Sequence, residues 1–152
     1  MPVPDSIIDN ALTGVHVRGR YVGPYAFYNM TSLTDVTGDI RYVDNYAFYG
    51  CTGLTNSSIN FAKLDHIGPH AFENCTGLSG TLDLGGVEFI GSSAFEGCTN
   101  ITGIRLASYN CGLGDAYSLP SSVTTIKVPS SYVDAYKASF VWSGLADKIV
   151  AE

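Results

Sequence analysis

Residues 21–33 read YVGPYAFYNMTSL, 42–54 YVDNYAFYGCTGL, 66–78 HIGPHAFENCTGL and 89–101 FIGSSAFEGCTNI. The four stretches share the form x-[VI]-[GD]-x-x-A-F-x-x-[CM]-T-x-[LI]. Their Ala-Phe pairs begin at 26, 47, 71 and 94, so the unit recurs after 21, 24 and 23 residues. A period of that size is one coil of a repeat array that contains a short strand. A fifth, degraded copy is expected at Leu113–Tyr117, with Ala116-Tyr117 standing for Ala-Phe and one residue missing.

A second pattern lies between the units. Leu12-x-x-Val15-x-Val17, Ile101-x-x-Ile104-x-Leu106 and Val123-x-x-Ile126-x-Val128 share the form L-x-x-I-x-I. Leu78, Leu82 and Leu84 fit with one residue inserted, and Leu54, Ile59 and Phe61 with two. Leu33 and Val36 begin the form, but Gly38 takes its last apolar place. Apolar residues alternating over a few positions make a half-buried strand. One strand per coil predicts a parallel sheet of about six short strands along one face, about 30 Å wide. The alternate residues then face outward: Gly14, His16 and Arg18; Asp35 and Thr37; Ser58 and Asn60; Thr81 and Asp83; Gly103 and Arg105; Thr125 and Lys127.

In such an array each unit position stacks on itself about 4.8 Å away. Phe27, Phe48, Phe72 and Phe95 are therefore expected to form one internal column, with Tyr117 at its far end. Gly23, Gly68 and Gly91 suggest a backbone angle that a side chain dislikes, with Asp44 taking that place once. Thr31, Thr52, Thr76 and Thr99 form a polar column at a turn. Cys51, Cys75 and Cys98 share one position with Met30, which marks it as apolar and polarisable. These thiols are expected to be buried and reduced, because parallel stacking keeps their Cβ atoms too far apart for a disulfide. Cys111, in the loop SYNCGLGDAY, is the expected exposed or reactive thiol.

Composition narrows the function. The 152 residues suit one domain. Charged residues are 14% and hydrophobic residues 45%, which excludes a disordered chain. The net charge is −6 without a basic run, which argues against nucleic acid or an anionic membrane as partner. No stretch approaches eighteen apolar residues, so membrane insertion is not expected. The start MPVPDSIIDNALTG has no signal-peptide character. No GxSxG elbow, P-loop or HExxH occurs, and the reading is of a non-enzyme without cofactor or metal. His66 and His70 are four apart with Asp65 adjacent, but Gly68-Pro69 argues against a helix that would align them.

The A-F-x-x-C-T-x-L unit, preceded by I-G and followed by L-x-x-I-x-I, closely resembles the BspA-like leucine-rich repeats of bacterial proteins. The ending VTTIKVPSSYVDAYKASFVWSGLADKI resembles the cap that often closes such arrays. The resemblance covers roughly residues 12–149. It implies an α/β repeat solenoid, a leucine-rich-repeat-like right-handed coil with a helical C-terminal cap. Residues 1–11 are then an N-terminal cap or linker, 12–128 the repeats and 129–152 the cap. In that cap Pro129 ends the last strand, and Ser131-x-x-Asp134 resembles a capping box. Val133, Tyr136 and Phe140 lie on one helical face, and Trp142, Leu145 and Ile149 continue the cover. Trp142 is assigned to the core. If Ile7 and Ile8 do not cover the first coil, the N-terminal end of the array is expected to pair with an upstream domain or, by self-association, with a second copy of the chain.

Two functions follow as expectations. One is a binding module that recognises a protein or glycan at a bacterial or host cell surface. It would use the strand face, through His16, Asn60, Asp83, Arg105 and Lys127, or the loop between Tyr109 and Tyr117. It would be extracellular or at the cell surface as part of a longer secreted protein. The other is a structural or decoration component of a phage particle or surface assembly, hence virion-associated. On the strand face Arg105 and Lys127 make a basic end and Asp83 an acidic middle, with exposed charges that contribute little to stability.

Overall fold

The structure, a computed structural model, describes residues 12–152. The N-terminal cap expected over residues 1–11 lies outside the described residues. Eleven short strands and one helix follow in chain order: β1 (Gly14–His16), β2 (Tyr21–Val22), β3 (Asp35–Thr37), β4 (Tyr42–Val43), β5 (His66–Ile67), β6 (Gly80–Asp83), β7 (Phe89–Ile90), β8 (Ile101–Arg105), β9 (Gly112–Leu113), β10 (Thr125–Val128), α1 (Val133–Ala138) and β11 (Ile149–Ala151). All pairings are parallel.

The expected single sheet of about six strands is corrected to two. β1 pairs with β3, and a separate sheet runs β6-β8-β10-β11. The break falls on the coil whose pattern carries two extra residues between Leu54 and Ile59. That chain turns through residues 55–58 and enters a 3-10 turn at Phe61–Lys63. Ser58, expected outward, is buried, and its Oγ accepts the Thr55 N–H at 2.8 Å. The coil still stacks on its neighbours. The Val36 N–H donates to the Ser58 carbonyl at 3.1 Å, and the Asn56 amide donates to the Ser79 carbonyl at 2.7 Å. Gly103, also expected outward, is buried. A Cβ there would lie 2.7 Å from the Thr81 Oγ1.

A third sheet, β2-β4-β5-β7-β9, is built from the first two residues of each unit. Val22, Val43, Ile67 and Ile90 point into the core from it, while Tyr21, Tyr42 and His66 face solvent. Two residues are too few to show alternation, so these strands leave no periodic mark.

The phenylalanine column is present, with ring centroids 5.3 Å apart for Phe27–Phe48, 5.2 Å for Phe48–Phe72 and 5.4 Å for Phe72–Phe95. The N–H of Phe27, Phe48 and Phe72 donates to the carbonyl of Ala47, Ala71 and Ala94 on the next coil, each at 2.8 Å. Phe95 donates instead to Ser118, at 3.1 Å. The fifth counterpart of Ala-Phe is thus Ser118-Leu119, both buried. Tyr117 is 65% exposed and stands outside the column, which corrects the sequence alignment. With Ile90 opposite Leu113, Gly114 lies opposite Gly91, so the last copy gains a residue before its turn rather than losing one.

The glycines of the unit answer a different demand from the one expected. A Cβ on Gly91 would sit 2.5 Å from the Pro69 nitrogen, so this position is small to let coils approach. The left-handed angles fall two residues later, at Tyr25, Tyr46, His70 and Ser93, and six later, at Asn29, Gly50, Asn74 and Gly97.

At the C-terminal end the expected capping box does not form. A 3-10 turn at Ser130–Tyr132 leads into α1, whose N-cap is Tyr132 without a side-chain hydrogen bond. Phe140 falls beyond α1 and is 95% exposed, not part of the cap's apolar face. Trp142 and Ile149 are buried, and β11 extends the sheet by pairing Ile149–Ala151 with Ile126–Val128. Tyr136 and Trp142 pack edge to face at 5.5 Å. The Tyr136 hydroxyl accepts the Cys111 N–H at 3.1 Å and donates to the Ser108 carbonyl at 2.7 Å. The Trp142 Nε1–H donates to the Cys111 carbonyl at 2.7 Å. Cys111 is therefore pinned under the cap and fully buried, contrary to its reading as the exposed thiol. Tyr136→Phe leaves the Cys111 N–H without its partner and is expected to cost about 1–3 kcal/mol in urea unfolding.

Candidate functional site

The structure brings three of the expected strand-face residues together. In register across β6, β8, β10 and β11, Asp83, Arg105, Lys127 and Val150 form one outward row. His16 lies apart on the two-stranded sheet, where its Nδ1 is 2.8 Å from the Thr37 Oγ1. Asn60 lies between the sheets, exposed, just before the 3-10 turn. Tyr109 and Tyr117 are each 65% exposed, and Tyr109 meets Tyr132 edge to face at 5.2 Å.

Arg105 is not a free charge. Its guanidinium holds Glu152 through two bonds, at 2.7 and 3.1 Å, and Asp83 through a third at 2.9 Å. Hydrogen bonds to Glu152, then Asp83, raise its pKa above the ordinary value. The expected basic end is thereby neutralised at Arg105, and of the two cations in this row only Lys127 forms no ion pair. Arg105→Glu brings a carboxylate against those of Asp83 and Glu152 and is expected to lower stability by about 1 kcal/mol, less at high salt. Lys127→Glu is expected to change it by less than about 0.5 kcal/mol. Thermal unfolding of the two single variants at low and high salt checks both values.

A second surface is built by the turns of the units. Tyr25 stacks on Tyr46 at 4.9 Å, and Tyr46 on His70 at 4.5 Å. Beside them Tyr28 stacks on Tyr49 at 4.8 Å, and tilted contacts join the two stacks. His70 bonds Glu73, which occupies the same unit position as Tyr28 and Tyr49. Alongside, the Tyr21 hydroxyl donates to Asp44, which lowers the Asp44 pKa and raises that of Tyr21. The site reading from sequence omitted this ladder. Its signal was present in the fifth and eighth unit positions, where Tyr25, Tyr46 and His70, and Tyr28 and Tyr49, recur.

Neither surface offers a catalytic constellation. A cleft of about 340 Å³ between residues 113–116 and 140–145 has Asp115 as its one titratable side chain. Among the described residues no group of three His, Cys, Asp or Glu side chains could hold a metal ion. His66 and His70 belong to separate stacks, on Phe89 at 4.9 Å and on Tyr46 at 4.5 Å. No helix among the described residues is long and apolar enough to cross a membrane.

A crystal structure of a leucine-rich repeat protein from Bacteroides ovatus is similar to this chain, with 19% identity and a TM-score of 0.44. The likeness covers 80% of this chain and 44% of that one, so the chain spans less than half of that protein's length. No curated protein matches the chain. The model of the BspA-type leucine-rich repeat region matches six copies over residues 17–115. With that match over most of its length, and with parallel strands stacked coil on coil, the chain belongs to the BspA-type leucine-rich repeat family.

Proposed function

We propose that the chain is a non-catalytic binding module that recognises a protein at a bacterial or host cell surface. One observation supports this reading above others. The inward positions repeat from coil to coil, as in the phenylalanine and cysteine columns, whereas the outward positions of the strand face, such as His16, Asp83, Arg105 and Lys127, vary over a fixed scaffold. Packing demands likeness along a column, and it makes no such demand of solvated side chains, so variety outside leaves room for recognition. Leucine-rich repeat arrays present broad faces of this kind to partners, and their use in surface-exposed bacterial proteins favours the same setting here. In this reading residues 12–128 are the recognising array and 129–152 close its end as a right-handed solenoid's cap.

The test is capture of intact cells by fluorescently labelled protein. Saturable binding that protease treatment of the cells abolishes, and periodate treatment spares, is the expected result. Loss with periodate alone would make the partner a glycan. Absence of saturable binding, with a large stable oligomer on sizing, would replace the module with a structural component of an assembly.

A further inference from the structure

Two columns of the array share one backbone requirement and meet it with opposite residues. At the ninth unit position φ is +57° at Asn29, +70° at Gly50, +62° at Asn74 and +77° at Gly97. Asn and Gly are the residues that tolerate a left-handed angle. At the fifth position φ is +58° at Tyr25, +58° at Tyr46, +59° at His70 and +55° at Ser93. Tyrosine is disfavoured there, yet Tyr25 and Tyr46 occupy it on successive coils, followed by the more tolerant His70. Stacking between the rings offsets part of that penalty, but the buried phenylalanine column already ties the same coils together. Strained positions retained in series point to a use outside folding.

Charge is segregated around these rings. The four 13-residue units contain no Lys or Arg, and they carry Asp44, Glu73 and Glu96. Every lysine and arginine of the chain lies in the connecting segments or the cap. Ring stacking at 4.5–4.9 Å leaves ring edges and hydroxyls for a partner rather than ring faces, which disfavours sugar rings that bind by stacking. Tyr, Asn and Thr dominate the outward turns, and tyrosine suits protein surfaces because it gives large contact area at low entropic cost.

We propose that the turn face carrying Tyr25, Tyr28, Tyr46, Tyr49 and His70 is the docking surface of this module, and that its partner is a protein segment bearing arginine or lysine. This rests on the binding-module reading above and moves its contact surface from the strand face to the turns. The exposed Glu96 supplies the charge complement, with Glu73, whose carboxylate also bonds His70, adding to it, and phenolic hydroxyls supply the directional hydrogen bonds.

The test is titration of the whole chain with a hexa-arginine peptide, with cellohexaose as the sugar comparison. The native protein is expected to bind the peptide, more weakly as salt rises, and not the sugar. The triple variant Tyr25→Gly, Tyr46→Gly, His70→Gly keeps every carboxylate and suits the left-handed backbone, and it is expected to lose about tenfold or more in affinity. Should it fail to fold, Glu73→Gln with Glu96→Gln is expected to weaken binding several-fold, by about the effect of two lost charge contacts. Equal peptide affinity in native and variant protein, or sugar binding in place of peptide, overturns the proposal. Cell capture retained by the folded triple variant overturns the turn surface alone. Peptide binding without any cell capture leaves this surface standing and removes the cell-surface function.

Discussion

Phe72→Ala is expected to destabilise the protein by about 3–5 kcal/mol, the range for truncating a fully buried phenylalanine. Its ring is completely buried between Phe48, 5.2 Å away, and Phe95, 5.4 Å away, with Phe61 tilted against it at 5.1 Å. The site has little room to collapse, because the coils on either side are fixed by the Phe48-to-Ala71 and Phe72-to-Ala94 hydrogen bonds. In a linear array each coil is stabilised through its neighbours, so a defect in the middle weakens two interfaces at once. The loss is a large part of the 5–15 kcal/mol that holds a typical domain. Tyr28→Ala is the comparison. Tyr28 is half-buried and stacks on Tyr49 at the surface, so about 1 kcal/mol is expected. Urea unfolding of both variants decides, and equal losses would show that the internal column does not carry the fold.

Stability is expected to fall steeply between pH 9 and 12, because the four cysteines resist ionisation in the folded protein. Burial is the leading cause in each case. It pushes Cys51, Cys98 and Cys111 to about 12 and Cys75 well above its ordinary value. Three of the thiols also donate to a carbonyl of the preceding coil: Cys51 to Phe27 at 3.0 Å, Cys75 to Phe48 at 3.1 Å and Cys98 to Phe72 at 3.0 Å. Met30 holds the same position on the first described coil, where no preceding phenylalanine carbonyl is available among the described residues. A folded pKa above the unfolded one means that only the unfolded chain loses protons as pH first passes 9. Stability is therefore full below that pH and is lost as pH rises toward 12. Each thiol contributes on the order of 1 kcal/mol per pH unit in that window, so the four together approach the stability of a typical domain. Tyr136, raised chiefly by burial, acts in the same direction. Urea midpoints measured from pH 7.5 to 10 test the slope, and a flat profile would contradict thiol burial. At neutral pH a thiol reagent is expected to modify none of the four, Cys111 included, until the protein unfolds.

The array was legible because its packing demands are local and repeated. Each Phe, Cys and Leu of the unit meets the same neighbour one coil away, so the demand is written once per period, and the columns could be read from Phe27 to Phe95 without coordinates. The third sheet was not legible, since pairs such as Tyr42-Val43 are too short to alternate. The last copy was misread because Ala116-Tyr117 looks like Ala-Phe. Its true counterpart, Ser118-Leu119, is identified by the hydrogen bond from Phe95. Cys111 was misplaced for a related reason. A cap 25 residues farther along covers it, through Tyr136, and nothing in its own loop encodes that.

The sequence by itself determined the repeat, its period, the identity of the internal columns and the family. Only the tertiary structure decided where the strand face breaks, which charges are already taken, and which outward residues stand side by side. Arg105 reads as a free cation until Glu152, 47 residues away, is seen to hold it. Tyr25, Tyr46 and His70 become one stack only when the coils are superposed. Repetition makes burial predictable from a single strand of text, because every coil solves the same packing problem. Surface chemistry depends on pairings between coils and with the cap, and those are set by geometry that no one repeat contains.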